Sequence, residues 1–219
     1  MAEEQRKDNR VERGNRTRQL VLDRTVQIAS VEGLEGLSLG RLAGELELSK
    51  SGVFALFGSK EELQLATVRA AIRIYTEHVV RPTLDLPPGL DRIRQLCDNW
   101  IAYSQQRVFP GGCFFYSVTA EFDARPGPVR DALAHARSSW LDFIERTIDE
   151  ARAVGEVAPD TDTPQLAFEL VAFLETANAE SVLHDDPSSY GKAAKAVRTR
   201  LRWAATDPSL VPPEPTAAA

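Results

Sequence analysis

SLGRLAGELELSKSGVFALFGSKEEL, residues 38–63, decides how the chain reads. Ser38 is a good N-cap for a short helix carrying Leu39, Leu42, Ala43 and Leu46. Ser49 can cap a second short helix, which is expected to bury Val53, Phe54 and Phe57 and to end at Gly58. Ser59-Lys60-Glu61-Glu62 has the spacing of a capping box and opens a long helix through Leu63, Ala66, Ala70 and Ile74, ending before Pro82. Two short helices, a tight link and a longer helix make a helix-turn-helix. The second helix of that motif presents its N-terminal end to the major groove of DNA.

Outward from this block the pattern stays helical. Val21, Leu22, Thr25, Ile28 and Ala29 recur at helical spacing before Gly33, so a helix is expected from about residue 16. Residues 1–15 are polar and charged and read as a flexible basic arm; over the first twenty residues six Lys/Arg face four Asp/Glu. Beyond the breaker-rich residues 84–90 lie four more helical patterns: 93–104, 129–151 with Pro128 at its first position, 166–181 after Thr163-Pro164, and 190–204. Residues 113–122 form a short aromatic-rich segment. The tail 207–219 is proline-rich and reads as disordered. The fold class is all-α, divided into the arm 1–15, a helix-turn-helix domain 16–65, a larger helical ligand-binding and dimerisation domain 66–206, and the tail.

Composition narrows the functional classes. A net charge of −6 argues against a broad nucleic-acid-coating protein, while a local basic footprint can still sit on an acidic body. Residues 1–64 hold ten Lys/Arg against eleven Asp/Glu, so binding there must depend on local placement. No apolar run approaches the ~20 residues that span a bilayer, which gives an expected cytoplasmic location with no membrane partner. Cys97 and Cys113 make no CxxC pair, and His78, His135 and His184 have no metal-ligand spacing, so neither metal nor cofactor is expected.

The block from Gly33 to Leu63 resembles the DNA-binding domain of TetR-family transcriptional regulators. The matching residues are Gly33, Ser38-Leu39, Leu42-Ala43, Leu48-Ser49, Val53-Phe54, Phe57 and Ser59-Lys60-Glu61-Glu62-Leu63. The stretches from Gly111 and from Glu121 also look like segments of that family's ligand domain. The resemblance implies a DNA-binding regulator, without catalysis, that responds to a small, largely apolar inducer. Such relatives usually carry Gly in the turn, where Glu47 stands here, so a non-glycine residue is expected in a strained or reshaped turn. Phe54 replaces a usual Tyr, and Ala29 stands where a large aromatic is common.

In the motif's geometry Lys50 and Ser51 are candidates for base edges, since Lys donates to guanine O6 and N7 and Ser serves either base type. Gly52 permits close approach, and Ala55 and Leu56 can meet thymine methyl groups. Phe54 belongs to the same helix face. Ser38, Arg41, Ser49 and Lys60 are phosphate candidates, Lys60 from the first turn of a helix.

One reading head covers too short a site for useful specificity, so a homodimer on a palindromic double-stranded operator is expected. Leu166, Leu170, Leu174, Ala177, Val197 and Leu201 are the candidates for a four-helix interface, their stripes being equally compatible with internal core. Trp100, Tyr103, Cys113, Phe114, Tyr116, Phe122, Trp140, Phe143, Phe173 and Asn178 are candidates to line an inducer pocket, with Glu121 as a further polar group. Two other classes compete. One is a helical partner-binding scaffold that has lost DNA binding. The other is an enzyme or redox sensor using Cys113, with His135 as base. The latter leaves residues 38–63 without a role.

Overall fold

The computed structural model describes residues 2–212, with side chains from Glu12 onward. Among the described residues there are nine α-helices: α1 (Ala2–Glu32), α2 (Leu39–Glu45), α3 (Lys50–Phe57), α4 (Lys60–Tyr75), α5 (Leu90–Gln105), α6 (Phe114–Phe122), α7 (Pro128–Ala153), α8 (Thr163–His184) and α9 (Ser188–Ala204). Among the described residues the only β-type pairing is an isolated antiparallel bridge between Val157 and Ala205. The all-α reading therefore holds. The chain groups into two compact units, one of Met1–Arg73 with Phe109–Leu133, the other of Ile74–Val108 with Ala134–Ala219. The expected division at residue 65 is thus replaced by a discontinuous first unit that takes in α6.

Several boundaries differ from expectation, each for a local reason. The backbone is helical from Ala2, where an arm was expected over 1–15. Glu, Gln, Arg and Lys are good helix formers, and Glu12 and Arg16 stand four apart, a spacing that favours continuation. α4 leaves α-geometry at Tyr75, continuing as a π-helical turn over Thr76–Val80 and a 3₁₀ turn over Arg81–Thr83 that contains Pro82. The cap of α8 is Asp162, which accepts from the Gln165 amide at 3.1 Å. Thr163, the first residue of the helix, donates to Asp149 at 2.8 Å. In the tail, Pro208–Leu210 forms a 3₁₀ turn and Val211 is buried, its carbonyl accepting from Arg202 at 2.8 Å. The rest of the tail, 213–219, lies outside the described residues.

The first unit is cored by Val21, Val26, Ala29, Leu34, Leu42 and Val53, all fully buried or within 1% of it. Each of the Val and Leu side chains contributes roughly 1.5–3 kcal/mol on leaving water. α6 enters this core through Phe114 and Val118, both at 0% exposure. The loop before α6 lies directly on the end of α1. Gly111 donates its amide to Ser30 Oγ at 3.2 Å, and a Cβ there would collide with the Ser30 carbonyl.

The second unit pairs α8 with α9 and packs both against α5. Leu166, Leu170, Leu174, Val197 and Leu201 fill that seam. A buried polar cluster crosses it. Ser104 Oγ donates to Asn178 Oδ1 at 2.8 Å and lies 2.7 Å from Tyr190 OH. Arg107, at φ 53°, donates to Tyr190 OH at 3.1 Å and to Ser181 Oγ at 3.1 Å. Buried polar groups joined in this way avoid the penalty of an unmade bond and fix the register of the helices they link.

Candidate nucleic-acid interface

α2, its turn and α3 follow from three hydroxyls and one left-handed residue. Ser38 accepts from the Arg41 amide at 3.0 Å and Ser49 from the Gly52 amide at 3.0 Å, each closing an orphan donor at a helix start. α2 ends in a Schellman arrangement. Leu48 N donates to Ala43 O at 2.8 Å and Glu47 N to Gly44 O at 3.4 Å. Glu47 takes the position usually given to glycine, with φ 54°. The turn therefore keeps its ordinary shape and carries the strain of a side chain in the left-handed region, about 1–2 kcal/mol. Ser59 accepts from the Glu62 amide at 3.1 Å, but its own amide donates to Phe57 O at 2.9 Å, so only half of the expected capping box forms.

The result is an α3 whose N-terminal end is open to solvent. Ser49, Lys50, Ser51, Gly52 and Ala55 are exposed and Leu56 is partly so. Val53 and Phe57 anchor the helix below at 0% and 6% exposure. Phe54, expected in the core with them, is 56% exposed. Val53 and Phe57 are four residues apart and share the inward stripe, which leaves Phe54 turned outward beside Ala55 and Ser51.

Arg41 and Lys60, two of the phosphate candidates, are committed elsewhere. Arg41 Nη2 donates to Glu32 Oε1 at 2.8 Å and its Nε to Glu45 Oε1 at 2.7 Å. The guanidinium bonds hold the Glu32 and Glu45 carboxyls below their ordinary pKa and raise that of Arg41. Lys60 Nζ donates to Glu35 O and Glu35 Oε2, both at 2.7 Å, and this bond lowers the Glu35 pKa. Lys50 makes no ion pair among the described residues.

Residues to which the sequence reading gave no such role hold the joint between α1 and α2. Glu121, expected to face a pocket, instead accepts from the amides of Leu34 at 2.7 Å and Glu35 at 2.9 Å. Gln64, buried on α4, donates to Leu34 O at 3.0 Å. The carboxylate fits because Gly33 sits at φ 78° without a Cβ, which would collide with Glu121. Arg18 completes the head, donating to Leu56 O at 2.8 Å and lying 4.5 Å from the Phe57 ring centre. The glycine at the end of α1 was the one sequence signal for this joint. The partner of that glycine, some ninety positions on, carried none.

The ten candidate pocket residues fall in both units. Cys113, Phe114, Tyr116 and Phe122 belong to the first; Trp100, Tyr103, Trp140, Phe143, Phe173 and Asn178 belong to the second. Tyr116 is 42% exposed, on the side of α6 away from Phe114, Val118 and Phe122. In the second unit Trp140 stands edge-on to Tyr75 at 5.2 Å and stacks with Phe143 at 6.3 Å, while Trp100 meets Tyr103 at 6.4 Å. Cys113 is buried in the first unit and His135 exposed in the second, so the pair expected of a thiol enzyme is not assembled within either unit. Burial raises the Cys97 thiol to about 12.

The six candidate interface residues are all buried inside the chain, at 4% exposure or less. α8 and α9 use them against each other and against α5. The outward apolar residues of the two helices are different ones: Phe168 at 61%, Leu183 at 77% and Trp203 at 80% exposure. An open groove of about 510 Å³ runs over the same helices, lined by Ala172, Phe173, Thr176, Glu180, Lys192 and Ala196 among others.

A capped helix-turn-helix in a small unit, with a larger helical unit behind it in sequence, defines a helix-turn-helix regulator fold. Residues 89–197 match the family of tetracyclin repressor-like C-terminal domains. The chain belongs to the TetR family of transcriptional regulators. Its fold is that of a TetR transcriptional regulator from Chloroflexus aurantiacus, 22% identical, with a TM-score of 0.82 over 89% of this chain and 98% of that one. A TetR-family regulator from Cytophaga hutchinsonii is 21% identical with a TM-score of 0.80, over the same shares. AibR, solved in complex with isovaleryl coenzyme A and operator DNA, is 18% identical with a TM-score of 0.61 over 74% of this chain and 85% of that one. Among curated proteins no sequence matches the chain.

Proposed function

We propose that the chain is a dimeric repressor that reads a palindromic operator with α3 and releases it when a small, largely apolar molecule binds. The observation that carries this reading is the exposed N-terminal end of α3, where Lys50, Ser51 and Gly52 are held out by the Ser49 cap and the Glu47 turn. Lys50 and Ser51 read base edges, and Gly52 and Ala55 let the helix approach the groove. Ser38 and Ser49 meet phosphates beside their capping duty. Arg41 and Lys60 reach phosphates only by exchanging carboxylate partners, so they contribute less than an unengaged cation would.

The inducer is recognised in the second unit by the aromatic group of Trp100, Tyr103, Trp140 and Phe143. The second copy seats on the outward side of α8 and α9, on Phe168, Leu183 and Trp203, giving a four-helix contact. AibR, which carries both an acyl coenzyme A and operator DNA, supports this pairing of ligand and DNA binding in one chain. No helix among the described residues is long and apolar enough to cross a membrane, in keeping with a cytoplasmic regulator.

Selection of duplexes from a random library by the full chain tests the reading. The expected result is a palindromic consensus whose binding falls steeply with salt. Recovery of no consensus at low salt would overturn it.

A further inference from the structure

α1 and α4 are pinned to each other by the buried hydroxyls of Thr25 and Thr67, 2.9 Å apart. Between the same helices an open groove of about 320 Å³ remains. One stripe of α1 lines it with Asn15, Arg18, Gln19 and Leu22, and one stripe of α4 with Ala66, Arg69 and Arg73. The spacings are three and four residues on both sides, so each set occupies one helix face. Leu22 and Ala66 are buried at 5% and 2% exposure, while Arg69 and Arg73 are exposed.

The charge of this groove is unbalanced. Three guanidinium groups line it and no carboxylate does. Among the described residues none of the three makes an ion pair: Arg18 donates to Leu56 O and Arg73 to Arg69 O, both neutral acceptors. The nearest acid along α1, Asp23, accepts from Gln19 at 2.7 Å. Elsewhere in this unit Arg24, Arg41 and Lys60 each hold a carboxylate. Like charges gathered without a counter-charge repel each other, and an anion between them removes that cost.

We propose that the groove between α1 and α4 binds a phosphate-bearing anion through Arg18, Arg69 and Arg73. Guanidinium forks match the oxygens of phosphate in pairs, and the amides of Asn15 and Gln19 add neutral donors. The volume suits a small phosphorylated molecule. A free phosphorylated molecule and the DNA backbone present the same oxygens, and the test separates them. The inference does not depend on the proposed operator reading.

The test uses the full chain and inorganic pyrophosphate, against sodium chloride at matched ionic strength. Calorimetric titration is expected to show saturable binding of pyrophosphate. Arg69→Gln with Arg73→Gln is expected to weaken it by about tenfold for each bond lost. Both side chains are exposed, so the double variant should fold. Arg18 is left intact because it also holds α3. A Lys192→Ala variant, altered in the other unit, should bind as the wild type does. The second arm measures the salt dependence of binding to a random-sequence duplex, which presents the same phosphate oxygens whether or not an operator is selected. A slope reduced by about one for each arginine removed assigns the oxygens to DNA, and an unchanged slope with pyrophosphate bound assigns them to a free molecule. Pyrophosphate heat equal to the chloride control together with an unchanged slope, or equal pyrophosphate affinity in the double variant with an unchanged slope, would overturn the proposal.

Discussion

α3 and the α8–α9 pair invite comparison, because both carry residues expected to meet something outside the chain. In α3 those residues are left over once folding is complete: Lys50 and Ser51 stand exposed while Val53 and Phe57 do the anchoring. In α8 and α9 they are used up, since Leu166 through Leu201 close the seam of the unit itself. The difference teaches that an apolar stripe cannot announce its partner. A polar helix start with a small residue behind it has no internal use, so its exposure can be read in advance.

The largest effect that could break this contrast is at Leu170. Leu170→Ala should cost about 2–5 kcal/mol of unfolding free energy, because a fully buried side chain is removed from the seam. Thermal unfolding that barely moved while self-association collapsed would return Leu170 to the interface. Tyr190→Phe comes next. Taking its hydroxyl from between Ser104 and Arg107 should lower stability by about 2 kcal/mol in denaturant titration, since both neighbours lose a partner. Lys50→Ala should leave unfolding within about 0.5 kcal/mol of wild type. It should instead reduce discrimination between selected and random duplexes by about 1–2 kcal/mol, measured as the ratio of two dissociation constants. An equal loss on both duplexes would make Lys50 a backbone contact. Glu47→Gly should have the smallest effect, a gain of about 0.5 kcal/mol as relief of the left-handed strain outweighs added chain entropy. A loss there would mean that the Glu47 side chain contributes something its backbone does not reveal.

Much of the head was legible because its signals are local. The Ser38 and Ser49 caps, the positive φ at Glu47 and the Gly33 stop each depend on residues within four positions. Phe54 was misread because four large apolar residues, Val53, Phe54, Leu56 and Phe57, crowd an eight-residue helix, and only two fit its inward stripe. The joint at Leu34 and Glu35 was illegible for a different reason. Its partners Lys60, Gln64 and Glu121 lie between 25 and 87 residues away, and no pattern in the sequence ties a carboxylate to two distant amides. The stripes of α8 and α9 left core and interface open in the sequence because helical periodicity gives the direction of an apolar face and says nothing about what covers it.

That joint has a consequence for how the protein is made. The Leu34 and Glu35 amides wait for Glu121, so a nascent chain that has emerged only to Arg73 holds a reading head with its hinge unlatched. A fragment cut at that point should bind DNA poorly even with every base-reading residue present. Glu121 must be made before these two amides can be satisfied by it.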